Sequence, residues 1–146
     1  MARYYPISPL FWSDSEVRQL DAETKLLALY LLTSEHRNLE GLYRLPLPYI
    51  QADLGWSSMD VDVRMAALEE RGFLSYDFMA EVVLVRKALK YHQPLTDKQI
   101  QGAINALQEV PDTSLWDDFV EAANRYAPKL ADRLGMPSES HPEPIT

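Results

Sequence analysis

The stretch SSMDVDVRMAALEERG, residues 57–72, decides the fold that the rest of the chain supports. Ser57 is a residue type that caps the first turn of a helix, and Asp60 lies three residues later, where it can reach back towards the cap. Gly72 is the left-handed residue on which such helices end. An apolar stripe recurs between them at i, i+4 and i+7, and it consists of Val61, Met65 and Leu68. The spacing therefore predicts one helix here.

The sequence on either side of this helix predicts its neighbours. Two β-branched and aromatic runs, FLSYD and EVVLVRKAL, follow it and are separated by a short turn at residues 78–80, which is the pattern of a β-hairpin. The segment LPYIQADLG before it predicts a shorter helix that ends on Gly55. Two helices in such close succession form a helix-turn-helix unit. Upstream, LYRLP predicts a strand that pairs with the hairpin as its third member.

A helix that ends on glycine and continues into a two-stranded ribbon is typical of a winged helix-turn-helix. We therefore expect an α+β fold, mostly α, with a three-helix core, a three-stranded antiparallel wing sheet and a C-terminal helical extension. The segment AETKLLALYLLTSEH, residues 22–36, is expected to be the central helix. Its apolar side chains cover nearly the full circumference, so neighbouring elements must bury it from several sides.

The chain divides into three parts. Residues 1–94 are expected to form the winged helix-turn-helix domain, with an extended arm at residues 3–12, where aromatic and proline residues follow no regular period. Residues 95–134 are expected to form the helical extension, because two amphipathic stripes lie there. Residues 135–146 contain three prolines and almost nothing to bury, so they are expected to be disordered.

Capping boxes predict where several of the helices begin. The pattern is a Ser or Thr followed three residues later by an acid or amide, which satisfies two backbone N–H groups reciprocally. Three such pairs stand outside the stretch quoted first: Ser13 with Glu16, Thr96 with Gln99, and Ser114 with Asp117. They predict one short helix through Leu20 before the central helix and two longer helices in the extension.

Composition and charge exclude several classes of protein. At 146 residues the chain suits one core with an appendage, and the absence of cysteine removes disulfides and thiolate chemistry. No run of 18 apolar residues occurs and the N-terminus lacks the pattern of a signal peptide, so we expect a cytoplasmic protein that does not enter a membrane. The net charge of −8 argues against indiscriminate polyanion binding, since lysine and arginine supply most of that affinity.

Six segments carry a resemblance to a known family: ISPLFWSD, KLLALYLLTSEHRNLEGLYRLPL, DLGWS, LEERGFLSYD, KYHQP and LQEVPDTSLWDDF. Together they resemble the small replication-associated proteins of phages, prophages and Gram-positive mobile elements, whose winged-helix domain is similar to that of the primosomal DnaD-like initiators. The likeness spans residues 5–127, and residues 25–47 are its most specific part. It implies a non-enzymatic DNA-binding accessory protein that helps to open a replication origin or brings a helicase and its loader to it.

Seven residues are the predicted contacts to DNA, most of them phosphate contacts to a duplex. The second helix of a helix-turn-helix lies in the major groove, and basic residues near a wing meet the backbone. The predicted contacts are Ser57, Ser58, Arg64, Arg86, Lys87, Lys90 and Arg3. The equally open reading of the three basic residues after the hairpin is that they are solvated strand ends.

The outward face of the helix at residues 57–72 offers a second reading. A helical wheel places Met59, Val63, Ala66 and Glu70 on this face, and the uncharged residues Met59, Val63 and Ala66 are the predicted partner or dimer interface. Such a stripe can touch thymine methyl groups, but it also suits a packing partner: a second copy of the chain, the aromatic arm at residues 3–12 or a replication protein. The alternatives are therefore a protein-interaction or dimerisation adaptor that hardly touches DNA, and a transcription regulator of the same fold.

The sequence contains no recognisable pattern of catalytic or metal-binding residues. The histidines, His36, His92 and His141, are far apart and have no companion ligand at helical spacing. There is no glycine-rich phosphate loop, no serine elbow and no cysteine nucleophile. We expect neither an enzyme nor a bound metal or cofactor.

Overall fold

The computed structural model of the chain describes residues 7–134. This part is an α+β structure, mostly helical, with one three-stranded antiparallel sheet. Arg3 and the tail at residues 135–146, for which a DNA contact and disorder are predicted, lie outside the described residues. The elements are α1 (Leu10–Ser13), α2 (Ser15–Arg18), α3 (Ala22–Thr33), β1 (Leu42–Arg44), α4 (Leu47–Leu54), α5 (Ser58–Glu70), β2 (Leu74–Asp77), β3 (Val82–Val85), α6 (Ala88–Tyr91), α7 (Asp97–Leu107), α8 (Trp116–Tyr126) and α9 (Pro128–Arg133).

The helix predicted before the hairpin is present as α5, and its ends follow the predicted chemistry. The Ser57 Oγ accepts a hydrogen bond from the backbone N–H of Asp60 at 3.1 Å, and Gly72 has a left-handed φ of 78°. The predicted inner stripe is buried: Val61, Met65 and Leu68. The preceding helix, α4, ends on Gly55 with φ 72°, and α5 follows almost at once. Both helices of the predicted pair are therefore confirmed.

The three strands lie in the order β1-β3-β2. β2 and β3 form the predicted hairpin, with Asp77 opposite Val82 at the turn. One Asp77 carboxylate oxygen accepts from the backbone N–H groups of Met79 and Ala80 at 3.0 and 3.2 Å, which fixes the turn. β1 pairs antiparallel with the other edge of β3. This confirms β1 as the third member of the sheet.

The sheet is buried on both faces because helices pack on each side. Val83 and Val85 of β3 belong to the core built on α3, α4 and α5, whereas Val82 and Leu84 belong to a second core. The second core is formed with α7, α8 and α9 and includes Ile100, Phe119 and Leu130. The stripes predicted at residues 95–134 thus cover the outer face of the sheet.

The N-terminal segment differs from its prediction in two ways. Ser13 does not open a helix but ends α1, and Asp14 caps α2 instead, its carboxylate accepting from the backbone N–H of Glu16 at 2.9 Å. The arm at residues 3–12 is not wholly extended, because its last residues form α1. Phe11 has no solvent exposure and anchors this turn in the core. Burial of one aromatic ring here prevails over the absence of a sequence period.

One of the two predicted capping boxes in the extension is wrong. Thr96 and Gln99 form the box as predicted. α8, however, begins at Trp116 without a side-chain cap. The backbone N–H of Ser114 donates instead to the Asp77 carboxylate of the hairpin at 3.2 Å. A tertiary contact therefore takes the place of the local one.

The second run of the hairpin is shorter than EVVLVRKAL predicts. β3 ends at Val85, and the backbone N–H of Arg86 makes a last hydrogen bond to the carbonyl of Phe73 at 3.0 Å. The chain then turns into α6, where Ala88 and Leu89 are buried. The burial of Ala88 and Leu89 in the core favours a helix at this point over a longer strand. The basic residues that follow Arg86 consequently lie at and within α6 rather than on a strand.

Candidate interaction surface on helix α5

The outward face of α5 is exposed as the helical wheel predicts. Met59 and Val63 retain 71% and 57% of their solvent exposure, and Ala66 is exposed one turn beyond Val63. Most exposed side chains on folded proteins are polar, and large apolar groups left in water are informative when they lie together. This apolar stripe is the first component of a candidate interaction surface.

Arg64 lies on the flank of α5, and its guanidinium contacts the start of α3 instead of pointing away from the protein. It donates to Asp21 at 2.6 Å and to the Thr24 hydroxyl at 3.1 Å, and it also pairs with Glu23. The Asp21 carboxylate caps α3 by accepting from the Thr24 backbone N–H at 2.8 Å. Hydrogen bonds from Thr24 and from Arg64 lower the pKa of Asp21 to about 2. Arg64 therefore tethers α5 to α3.

Lys87 is held by acidic residues of the N-terminal segment. Its ammonium lies 3.2 Å from Asp14 and also pairs with Glu16. The lysine side chain is 17% exposed and that of Asp14 only 5%. The Tyr91 hydroxyl donates to the same Asp14 carboxylate at 2.7 Å. Burial opposes ionisation of Asp14, yet the hydrogen bonds from Tyr91, from the backbone of Glu16 and from Lys87 hold its pKa below the usual value.

Arg86 connects the sheet to the C-terminal helices. Its guanidinium donates to the hydroxyl of Ser75 in β2 and lies 3.2 Å from the carboxylate of Asp118 in α8. The hairpin is fastened at its turn as well, because the Thr113 hydroxyl donates to Asp77 at 2.7 Å. The hairpin that the sequence predicts as a wing is thus bound to the helical extension along its outer face and at its end.

The remaining predicted DNA contacts are two serines and one lysine at the surface. Ser57 uses its hydroxyl oxygen as the cap of α5, and Ser58 is exposed in the first turn. Lys90 is exposed on α6, and its ammonium forms no ion pair among the described residues. Of the predicted basic contacts that the structure describes, Lys90 is therefore the one that carries a free charge.

Four carboxylates surround the apolar stripe of α5. They are exposed, and within residues 7–134 none of them forms an ion pair. The four are Asp60, Asp62, Glu69 and Glu70. Asp60 adds to the electrostatic field that raises the pKa of Arg64. The outward face of α5 is accordingly apolar over Met59, Val63 and Ala66, with negative charge on both flanks and at Glu70 in its last turn.

A groove of about 1000 Å³ lies elsewhere, between the loop that precedes β1 and helix α7. Charged residues of both signs line it, including Arg44, Lys98 and Glu109. Glu40 at its wall is buried, which raises the pKa of its carboxyl, and within residues 7–134 one of its carboxyl oxygens has no hydrogen-bond partner. Among the described residues no three His, Asp or Glu side chains are placed to share a metal ion.

Sequence reasoning missed the acidic partners of the predicted basic contacts. Asp14, Asp21 and Asp118 are distant in sequence from the arginine or lysine that each one meets. No periodic pattern signals such pairs. The only hint was the position of Asp14 and Asp21 immediately before helices, where acids are favoured as caps.

No helix among the described residues is long and apolar enough to cross a membrane. A comparison of the chain with protein-family models, with curated proteins and with solved structures finds no match in any of the three.

Proposed function

We propose that this protein is a winged helix-turn-helix accessory protein of phage-type replication initiation, without enzymatic activity, which acts as an adaptor. In this proposal the outward face of α5 binds a protein partner, the replicative helicase or its loader. The replication context rests on the family resemblance of residues 5–127. The manner of action rests on the distribution of charge and apolar surface.

The order of elements supports the winged-helix part of the proposal. Helix α3, strand β1, helices α4 and α5 and the β2–β3 hairpin follow one another, and β1 completes the sheet at the far edge of β3. A glycine ends α4 and another follows α5. In such a unit the second helix of the pair is the one that meets a ligand, so α5 is the element to test.

One observation carries the adaptor role: the outward face of α5 is apolar and acidic, while Arg64 is turned away and neutralised. Phosphate binding needs free lysine or arginine at the helix that enters the groove. A helix that exposes Met59 and Val63 instead has the surface that a protein partner buries. Arg86 and Lys87, two further predicted phosphate contacts, are already paired with acids of this chain.

Binding to purified helicase and to purified helicase loader of the host cell tests this function. Val63→Asp places a charge at the centre of the stripe and is expected to weaken binding by at least about tenfold. Leu95→Asp is the matched control, because Leu95 is 58% exposed and lies in the segment before α7; it should bind as the unmodified protein does. If neither protein binds, or if both variants bind equally, the proposed adaptor function is wrong.

Binding of duplex DNA is the second candidate, and the exposure of Lys90 favours it. The Arg64 pairs are also at the surface, where ion pairs contribute little stability and can be exchanged for phosphates. Electrophoretic shifts on duplex and single-stranded DNA at low and high salt separate the candidates. A duplex shift that Lys90→Ala weakens and salt abolishes would replace the adaptor role. Base-specific footprints on a palindromic site would identify a transcription regulator.

A further inference from the structure

The residues on the outward face of α5 indicate the chemistry that a partner must have. Met59, Val63 and Ala66 form its centre, and the four unpaired carboxylates surround them. Some acids elsewhere in the described chain have a cation within reach: Asp14 and Glu16 hold Lys87, and Asp118 holds Arg86. On α5, Asp60 contributes to the field around Arg64, but none of the four acids forms an ion pair among the described residues. A partner that covers the stripe must therefore either supply positive charge or bury these carboxylates at a cost.

Charge decides between the possible occupants. A second copy packed through the same face would bring four further carboxylates against the first four, and two chains of net charge −8 repel each other as wholes. Nucleic acid would bring phosphates to the same acids. Both occupants place like charges together, which is unfavourable at short range. A basic partner alone reverses the sign of these interactions.

The length and side-chain sizes of the α5 face limit the kind of partner that fits it. α5 has 13 residues, and at about 1.5 Å per residue it presents a face about 20 Å long. Ala66 at the C-terminal end of the stripe lets a second helix approach closely, since it has no long side chain. A helix of three to four turns would match this length, with apolar side chains on one stripe and lysine or arginine on its edges.

We propose that the outward face of α5 docks a basic amphipathic helix of the partner protein. The apolar stripe of that helix packs on Met59, Val63 and Ala66, and its edge cations meet Asp60, Asp62, Glu69 and Glu70. The contact deepens the proposed adaptor function and rests on it. Because these charges are exposed to solvent, they accelerate association and give it a marked dependence on salt.

A pair of designed peptides tests this chemistry without knowledge of the partner. Each peptide has about 18 residues, leucine at i, i+3, i+4 and i+7, and either lysine or glutamate at the other positions. Binding of the labelled peptides to the full chain is followed by fluorescence anisotropy. The lysine peptide is expected to bind the unmodified protein, and salt should weaken this binding. Its Kd for Val63→Asp should be higher by at least about tenfold. The glutamate peptide is expected not to bind.

A charge swap provides the specific control. Asp62→Lys combined with Glu70→Lys should weaken the lysine peptide by at least about tenfold and create binding of the glutamate peptide. Glu121→Lys combined with Asp132→Lys changes the net charge equally at exposed positions of α8 and α9, and it should change either affinity less than about twofold. Equal effects of the two double variants, or none from the α5 pair, would overturn the proposed docking of a basic helix.

The same variants distinguish this proposal from the function on which it rests. If the helicase or loader loses binding with Val63→Asp but not with the α5 charge swap, the adaptor function stands and the basic partner is wrong. If the lysine peptide behaves as expected but neither replication protein binds, the surface chemistry stands and the proposed function is wrong.

Discussion

Two faces of this molecule are both apolar but differ in solvent exposure: the outer face of the β-sheet is covered, and the outer face of α5 is open. Both direct apolar side chains away from the core around α3. On the sheet, Leu42, Val82 and Leu84 are covered by α7, α8 and α9 and lose almost all exposure. On α5, Met59 and Val63 have no such cover among the described residues.

The difference between the two faces is the basis for the proposal that the outer face of α5 binds another molecule. The C-terminal helices bury the sheet face with an amphipathic pair, and Arg86 and Asp77 fasten that pair through Asp118 and Thr113. Burying apolar area is the main favourable term in folding, so a chain that covers one apolar face and leaves another open forgoes stability at the open one. Such exposure is common where a partner binds. The predictions below break or sharpen this contrast.

The largest effect is expected where the sheet face is covered. Phe119 of α8 has no exposure and stacks on Trp116 at a centroid distance of 5.5 Å. Phe119→Ala should lower the free energy of unfolding by about 3–5 kcal/mol, because it removes a buried ring and leaves a cavity. Phe78→Ala is the matched control, since Phe78 is 70% exposed at the hairpin turn and contacts Tyr76 alone among the described aromatic rings; a loss below about 1 kcal/mol is expected. Urea unfolding measures both, and equal losses would contradict the assignment of a second core.

The next effect concerns the cations that the sequence assigns to DNA. Lys87→Met keeps the length of the side chain but leaves the nearly buried Asp14 with one partner fewer, so the free energy of unfolding should fall by about 2 kcal/mol at pH 7. Lys90→Met, on the exposed side of α6, should change it by less than about 0.5 kcal/mol. Urea midpoints of the two variants provide the comparison. Identical stabilities would show that the Lys87 ion pairs do not hold the fold.

Local patterns predicted much of the fold. The stripe at Val61, Met65 and Leu68, the cap at Ser57 and the glycine at Gly72 fixed α5 because each depends on near neighbours in the sequence. The hairpin and the third strand followed for the same reason. Amphipathic stripes predicted that the extension must dock, yet no periodicity states which surface receives it.

The candidate surface was predicted in part for the same physical reason. A wheel identified Met59 and Val63 as outward, since helix geometry alone decides it. The ion pairs of Arg64, Arg86 and Lys87 could not be predicted, because the tertiary fold brings their acidic partners within reach from distant parts of the sequence. The run VVLV is buried on both faces, and such a strand shows no alternation of polar and apolar residues. Its sequence therefore does not reveal which elements cover each face.

A smaller effect is expected from the pH dependence of the Asp21 cap. Its pKa in the folded protein is lowered to about 2, against about 3.9 in an unfolded chain. A carboxyl with a depressed pKa contributes stability above the unfolded value and loses it as the pH falls through the folded one. Asp21→Asn keeps a good helix cap but removes the charge beside Arg64. Urea unfolding should therefore find the variant less stable at pH 7, with a difference that shrinks below about pH 4 and vanishes as the pH falls through about 2; a constant difference would contradict the role of the charge.

The smallest effect is expected on the open face, and its smallness is the informative result. Val63→Gln replaces a side chain that is 57% exposed with one that favours helices slightly more, so the free energy of unfolding should change by less than about 0.5 kcal/mol and in the stabilising direction. Met59→Gln provides the matched variant one turn away on the same stripe. Urea unfolding measures both. A loss above about 1 kcal/mol in either would mean that the side chain is held by contacts within the chain, and α5 would then have no free face for a partner.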